Sequence, residues 1–137
     1  PPAPPSFFTS AVEEILRWAT PVNYFRRAAT GDVELHGVKI AEGDSVTMFY
    51  PSANRDERVF SDPDRFDIGR TPNPHVTFGG GGPHFCLGSN LARLEMRILF
   101  EELSKRVADI ELTGEISKLQ SSFIHGIKHL PVALTRR

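Results

Sequence analysis

Residues 78–88 read FGGGGPHFCLG and lead directly into a helical pattern. Four consecutive glycines give the backbone freedom at an entropic cost, which favours a loop pressed close to something flat or bulky. Cys86, the only cysteine of the chain, stands at the mouth of the helix. Unpaired N–H groups and the positive end of the helix dipole favour the thiolate there. The stretch therefore predicts an activated thiolate held by a glycine-rich loop.

A thiolate so placed acts either as a nucleophile or as a metal ligand. Haem iron accepts a single axial thiolate, whereas a structural zinc site needs about four protein ligands. A single cysteine therefore suits haem better than zinc. Two alternatives stay open on these residues alone. Cys86 would be a buried structural cysteine, or a catalytic nucleophile with His84 as its base and the glycines as an oxyanion cradle.

Downstream of the loop, apolar residues recur at helical spacing and predict a long helix over 87–107. Its apolar stripe contains Leu87, Leu91, Leu94, Ile98, Leu103 and Val107. The pattern of the tail, 121–134, predicts a β-hairpin that turns at His125-Gly126.

Upstream, Ser10 and Glu13 form a capping-box pattern that predicts a helix over 10–20, which Pro21 ends. Apolar residues then alternate with polar ones over 22–50, which predicts a small antiparallel sheet. Residues 51–77 lack periodicity, and a loop of that length is more often functional than idle. The proline-rich residues 1–9 are expected to be a linker or the cut edge of a longer protein.

Composition narrows the class of protein. The chain has 137 residues, a net charge of −1 and 39% apolar residues, which suits one globular domain and predicts no attraction to nucleic acid. A single cysteine requires no oxidising compartment, and no apolar run reaches the roughly 18 residues of a membrane span. We therefore expect a cytoplasmic protein.

Three motifs together resemble one family. Residues 78–88 resemble the haem-binding loop of the cytochrome P-450 monooxygenases, and 14–17, EILR, resemble their Glu-x-x-Arg helix. Between them, 54–56 and 62–66 resemble the family's meander region. The resemblance covers essentially all of 1–137, and it is greatest to actinobacterial enzymes acting on sterols and methyl-branched lipids. It implies a mainly α fold with small antiparallel β-sheets, namely the C-terminal, haem-binding portion of the cytochrome P-450 fold.

The resemblance also implies a role for each matching residue. Cys86 would be the axial thiolate ligand of the iron in haem b. The other residues placed against haem are Phe78, Gly82, Gly88, His84 and Arg27. His84 and Arg27 would hold the haem propionates through charge-assisted bonds, with Arg26 as the alternative to Arg27. Three residues would form a buried ion network under the haem: Glu14, Arg17 and Arg65. Four would reach toward substrate: Val22, Asn23, Phe123 and Ile124.

The implied activity is insertion of one oxygen atom from O2 into a C–H bond of a small hydrophobic substrate, a lipid or sterol. Electrons would come from NAD(P)H through a ferredoxin-type donor, which Arg93 and Arg97 would help to dock unless they form an ordinary solvated helix face. The family's oxygen-activating helix precedes the Glu-x-x-Arg helix, so no catalytic residue is expected in these 137 residues. The alternative is a non-catalytic haem-binding or inactive truncated remnant.

Overall fold

The first helix begins earlier than the sequence predicts. A computed structural model describes residues 5–137, apart from the side chains of 5 and 6; the rest of the predicted linker lies outside the described residues. Helix α1 spans Pro5–Ala19, so the predicted start at Ser10 is wrong. Proline is preorganised for a first helical turn, and the Ser10 hydroxyl donates to the main-chain carbonyl of Ile68 instead of capping the helix.

Four strands follow where alternation predicts a sheet. They are β1 (Tyr24–Ala28), β2 (Val33–Leu35), β3 (Val38–Ile40) and β4 (Ser45–Phe49). Strand β1 pairs antiparallel with β4, and β2 pairs antiparallel with β3. The described residues in this segment therefore form two small two-stranded sheets, with β2 and β3 extending beyond the outer pair.

The aperiodic segment contains one short helix, α2 (Tyr50–Ala53), and otherwise consists of turns up to the next helix. That helix, α3, spans Ser89–Arg106 and packs against α1. Its predicted apolar stripe is largely exposed among the described residues, with Leu91 and Ile98 retaining 59% and 48% of their accessible surface.

The tail forms two nested strand pairs. They are built from β5 (Val107–Leu112), β6 (Ser117–Lys118), β7 (Ile127–His129) and β8 (Val132–Arg136). Strand β5 pairs with β8, and β6 pairs with β7. The predicted hairpin over 121–134 is therefore wrong. Residues 119–126 form the tip of the inner hairpin, closed by a 2.8 Å bond from the Leu119 N–H to the Gly126 carbonyl, and the last strand pairs with β5.

The core lies between α1 and the segment that follows α2. Its buried apolar side chains are Phe8, Ala11, Val12, Leu16 and Phe60. The largest fully buried side chains of the described residues include three polar or charged groups bigger than a threonine, namely Glu14, Arg17 and Asn54. Buried charges are costly unless they are paired and hydrogen-bonded, so the partners of these three groups decide the stability of the fold. Across residues 5–137, no helix is both long enough and apolar enough to cross a membrane.

Candidate haem-thiolate site

Arg17 is completely buried, and every one of its N–H groups has an acceptor. A guanidinium carries five N–H donors in a fixed fork. Two of them meet the Glu14 carboxylate, with Nε and Nη2 each 2.8 Å from an oxygen. The other three go to main-chain carbonyls: Nη1 donates to Asn54 and Pro63 at 2.8 Å, and Nη2 donates to Arg65 at 3.1 Å. Arg17 therefore ties α1 to the meander at three separate points.

The Glu14 carboxylate receives donors from outside its own helix as well. The main-chain N–H of Asp67 donates at 2.8 Å, and the Asn73 amide donates at 3.1 Å. Burial by itself raises the pKa of Glu14, but the hydrogen bonds from Arg17 and Asp67 and the charges of Arg17 and Arg70 outweigh burial and lower the pKa to about 2. Glu14 is therefore a fixed negative charge inside the protein.

The third charged member of this network is Arg70, and the prediction of Arg65 is wrong. The Arg65 side chain is exposed, and Arg65 contributes only its carbonyl, which accepts from Arg17 and from Arg70. Nε of Arg70 lies 3.2 Å from a Glu14 oxygen, and its side chain is 8% exposed. The meander turns between the two arginines, so the chain reverses and brings position 70 under α1. Without periodicity, the sequence did not specify that register.

Asn54 is a second buried hub that the sequence analysis missed. Its amide donates to the hydroxyls of Thr20 and Thr77 at 2.9 and 3.0 Å, and its carbonyl oxygen accepts from the Val76 N–H at 2.8 Å. Thr77 in turn donates to the Leu16 carbonyl at 2.9 Å. Asn54 thus holds the chain immediately before Phe78 against the end of α1, and so fixes where the glycine-rich loop begins.

The loop itself turns on left-handed glycines. Gly79 and Gly82 have φ of +95° and +75°, a region that residues with a Cβ rarely adopt. The turn is closed by a 2.9 Å bond from the Cys86 N–H to the Phe78 carbonyl. Gly88 has φ of −80°, and a Cβ there would lie 3.9 Å from the Cys86 sulfur. Cys86 is exposed, which removes the alternative of a buried structural cysteine.

Cys86 faces a cavity of about 410 Å³ that has the size of a ligand pocket. The residues that line it are Pro21, Val22, Phe25, Arg27, Tyr50, Thr77, Phe78, His84 and Cys86. They provide one sulfur, two side chains suited to carboxylates and several aromatic walls. That donor set fits haem, whose iron takes an axial thiolate and whose propionates are anionic. Thr77 was missed because the aperiodic loop gives no orientation for it, and Tyr50 was missed because it was assigned to the end of the predicted sheet, whereas it begins α2.

The structure also separates the two candidate arginines of β1. Arg27 lines the cavity, with its guanidinium 5.9 Å from the Phe25 ring centre and one N–H on the Arg26 carbonyl at 2.9 Å. Arg26 precedes it on the strand and does not line the cavity. Because neighbouring residues of a strand point to opposite faces, only one of the two reaches this wall.

The four predicted substrate-facing residues lie together, in two chain segments. Val22 forms a β-bridge with Ile124. The Asn23 N–H donates to the Phe123 carbonyl at 2.8 Å, and the Phe123 ring meets the Phe25 ring at 5.6 Å. Of the four, only Val22 lines the cavity. The tip of the inner tail hairpin thus buttresses the wall that Val22 and Phe25 form.

Comparison with known proteins identifies this arrangement. The cytochrome P-450 family model matches residues 6–106. The chain belongs to the cytochrome P-450 family. Over 123 residues it is 59% identical to a methyl-branched lipid omega-hydroxylase of Mycobacterium tuberculosis, covering 90% of this chain and 29% of the relative. Over 126 residues it is 49% identical to a steroid C26-monooxygenase of Mycolicibacterium smegmatis, covering 92% and 30%.

A solved structure shows the same fold as this chain. The cytochrome P-450 of Mycobacterium marinum in complex with pseudoionone superimposes with a TM-score of 0.87 at 49% identity, over 92% of this chain and 30% of that one. The chain therefore spans less than a third of the length of these relatives. The predicted fold class, helices with small antiparallel sheets in a partial cytochrome P-450 fold, is confirmed.

Proposed function

We propose that this chain is the haem-ligating portion of a haem-thiolate monooxygenase, with Cys86 as the axial ligand. The observation that carries the proposal is that the Cys86 thiol, the Arg27 guanidinium and the His84 imidazole line one cavity with aromatic walls. The other cytochrome P-450 features, namely the buried Glu14–Arg17 pair and the left-handed glycine turn, place this cavity on a rigid support.

Each residue has a task in holding haem b. The Cys86 sulfur donates to the iron, and the turn closed on Phe78 fixes its position. Arg27 and His84 would bind the propionates through charge-assisted bonds, which are roughly twice as strong as neutral ones. Gly82 and Gly88, which have no side chain, would let the main chain approach the bound haem. Phe78 lines the same cavity and would help to exclude water.

The proposed reaction inserts one oxygen atom of O2 into a C–H bond, and the second oxygen atom leaves as water with two electrons and two protons. When bound, haem with a thiolate ligand supplies the activation of O2. The two electrons come from NAD(P)H through a reductase and a ferredoxin-type donor. This chain would contribute the thiolate of Cys86 and the carboxylate-binding groups of Arg27 and His84.

The proposed substrate is a small hydrophobic molecule of the lipid or sterol class. Support comes from the two mycobacterial relatives, which are named for methyl-branched lipids and for steroids. Support also comes from the apolar wall that Val22 and Phe25 form, with Phe123 and Ile124 behind it. We propose that this wall contacts the substrate beside the haem.

One spectrum tests the proposal. The ferrous protein under carbon monoxide should show the strongly red-shifted Soret band of thiolate ligation, and Cys86→Ala should abolish that band. Arg27→Gln should weaken haem retention, whereas the matched variant Arg26→Gln on the same strand should not. A parent protein that takes up haem without the red-shifted band would overturn the proposal.

A second candidate is haem binding without turnover. The observation that favours it is that the groups of the cavity wall, Cys86, Arg27 and His84, are accounted for by haem binding alone. Substrate-dependent consumption of NAD(P)H by the reconstituted protein distinguishes the two: the monooxygenase couples it to product, and the binding module does not.

A further inference from the structure

A second polar cluster contacts Phe78, and none of its residues lines the cavity. It contains Glu13 of α1, His75 of the meander and Arg93 of α3. The Glu13 carboxylate accepts from Arg93 at 2.6 and 3.0 Å, through Nε and Nη2. Nε2 of His75 lies 2.9 Å from the same carboxylate, and the His75 side chain is 2% exposed. Three elements that are distant in sequence therefore meet on one carboxylate.

This cluster touches the ligand loop through the ring of Phe78. The Arg93 guanidinium lies 4.6 Å from the Phe78 ring centre, well within cation–π range, and the His75 ring is 6.5 Å from it. The carbonyl of the same Phe78 accepts the Cys86 N–H at 2.9 Å. A continuous set of contacts thus runs from Glu13 through Arg93 and Phe78 to the main chain of the iron ligand.

We propose that Glu13, His75 and Arg93 form a clamp that positions the Cys86 loop, with Glu13 and Arg93 as positioning residues for the iron ligand. This inference rests on the proposed function, because it concerns the loop that would hold the haem iron. It also changes the expectation for Arg93. The Arg93 guanidinium pairs with the Glu13 carboxylate and lies over the Phe78 ring, so it is not a free cation for docking an electron donor.

The geometry gives each member a separate task. Both Glu13 oxygens accept from the Arg93 fork and hold it over Phe78, and one of them, Oε2, also takes the bond from His75 Nε2. Nδ1 of His75 accepts from the Thr77 N–H at 3.3 Å, which assigns the Nε2 proton to the Glu13 bond. His75 thereby fixes the main chain at Thr77, just before the glycine-rich loop begins. Burial raises the pKa of Glu13, but the hydrogen bonds from His75 and Arg93 and the charge of Arg93 lower it to about 2, so Glu13 stays charged at neutral pH.

The test compares Glu13→Gln and Arg93→Lys with the parent in the haem-loaded protein. Both variants remove the paired bonds, and the second keeps the positive charge but lacks the fork. We expect the red-shifted Soret band of the ferrous–carbon monoxide complex to lose most of its intensity. The intensity should move to the band of haem that no longer has the cysteine thiolate as its ligand. We also expect hydrogen exchange of the Cys86 and Phe85 amides to accelerate about tenfold in both variants.

The matched control is Glu102→Gln. Glu102 also accepts from two cations, Lys105 and Arg106 at 2.9 and 3.0 Å, but at the far end of α3. It should leave both readouts unchanged. Variants that lower the melting temperature while keeping the full red-shifted band and the parent exchange rate at Cys86 would overturn the clamp and leave a plain stabilising pair. If Glu13→Gln does not fold, Arg93→Lys decides by the same two readouts.

The proposed function and the clamp fail in different ways. If Cys86 is not the ligand, the parent protein itself lacks the red-shifted band. If only the clamp is wrong, the parent has the band and both variants keep it.

Discussion

The network around Arg17 and the loop around Cys86 are neighbours in the fold, but different kinds of contact hold them in place. Arg17, Glu14 and Asn54 are completely buried, and their donors and acceptors are all supplied by residues 14–77. Cys86 and its neighbours are exposed and keep their shape through glycine turns and contacts behind Phe78. The Arg17 network satisfies its hydrogen bonds with its own residues, whereas the Cys86 loop presents its groups to a ligand. Stability and function are therefore located in different residues.

The largest expected effect is on the buried pair. Arg17→Ala leaves the Glu14 carboxylate without its main partner and removes the Arg17 donors from the carbonyls of Asn54 and Pro63. Removing one member of a buried pair typically costs about 3–5 kcal/mol, so the free energy of unfolding in urea should fall by about that amount. The control Arg106→Ala, on an exposed pair, should change it by less than about 0.5 kcal/mol. Equal losses from both variants would contradict the comparison.

Asn54→Ala should have the next largest effect. It removes three side-chain bonds, two of them fully buried, and leaves the part-buried Val76 N–H without its acceptor. An unsatisfied buried donor costs about 1–3 kcal/mol, which urea titration resolves. Asn23→Ala is the control, because its amide makes an exposed bond to the Ser122 carbonyl. A loss at Asn23 as large as that at Asn54 would show that burial does not decide the cost.

Acid should act on the buried network. Glu14 has its pKa lowered from 4.5 to about 2 in the folded protein. Its contribution to stability is therefore fully present above pH 4.5 and is lost as the pH falls through about 2. The urea midpoint of Glu14→Gln should lie below that of the parent at pH 6, and the two should converge as the pH approaches 2. Parallel pH curves for the two proteins would refute the assignment.

The smallest effect should come from the exposed stripe of α3. Ile98 keeps 48% of its accessible surface, so Ile98→Ala in this chain should cost less than about 1 kcal/mol. Val12, on the buried face of α1, keeps 2%, and Val12→Ala should cost about 1–2.5 kcal/mol by the same measurement. The reverse order would show that α3 is covered in solution.

Periodicity explains how much of this could be predicted from the sequence. The strands around Val33 and Val46 and the helix after Cys86 follow repeating patterns, and they lie where those patterns place them. No sequence pattern indicated that Arg70, and not Arg65, belongs to the network. A turn in an aperiodic loop decides which arginine faces α1.

Polar hubs were harder to predict for a related reason. Asn54 and Thr77 are ordinary polar residues in sequence, and only contacts across 23 positions make them buried partners. Ser10 shows the opposite error, since a local capping pattern was overridden by a tertiary bond to the Ile68 carbonyl. Local sequence patterns specify the helices and strands, whereas long-range polar contacts decide which polar side chains become buried partners.

All the hydrogen bonds that Arg17 donates to the meander go to main-chain carbonyls, those of Asn54, Pro63 and Arg65; its ring contact there is with Phe60, 5.3 Å from the guanidinium to the ring centre. Side-chain identity at 63 and 65 is therefore free to drift during evolution, provided that the path of the chain is kept. Insertion or deletion of a single residue between 55 and 62 would shift the Pro63 and Arg65 carbonyls together relative to the Asn54 carbonyl. We expect this segment to tolerate many substitutions and to reject changes in length.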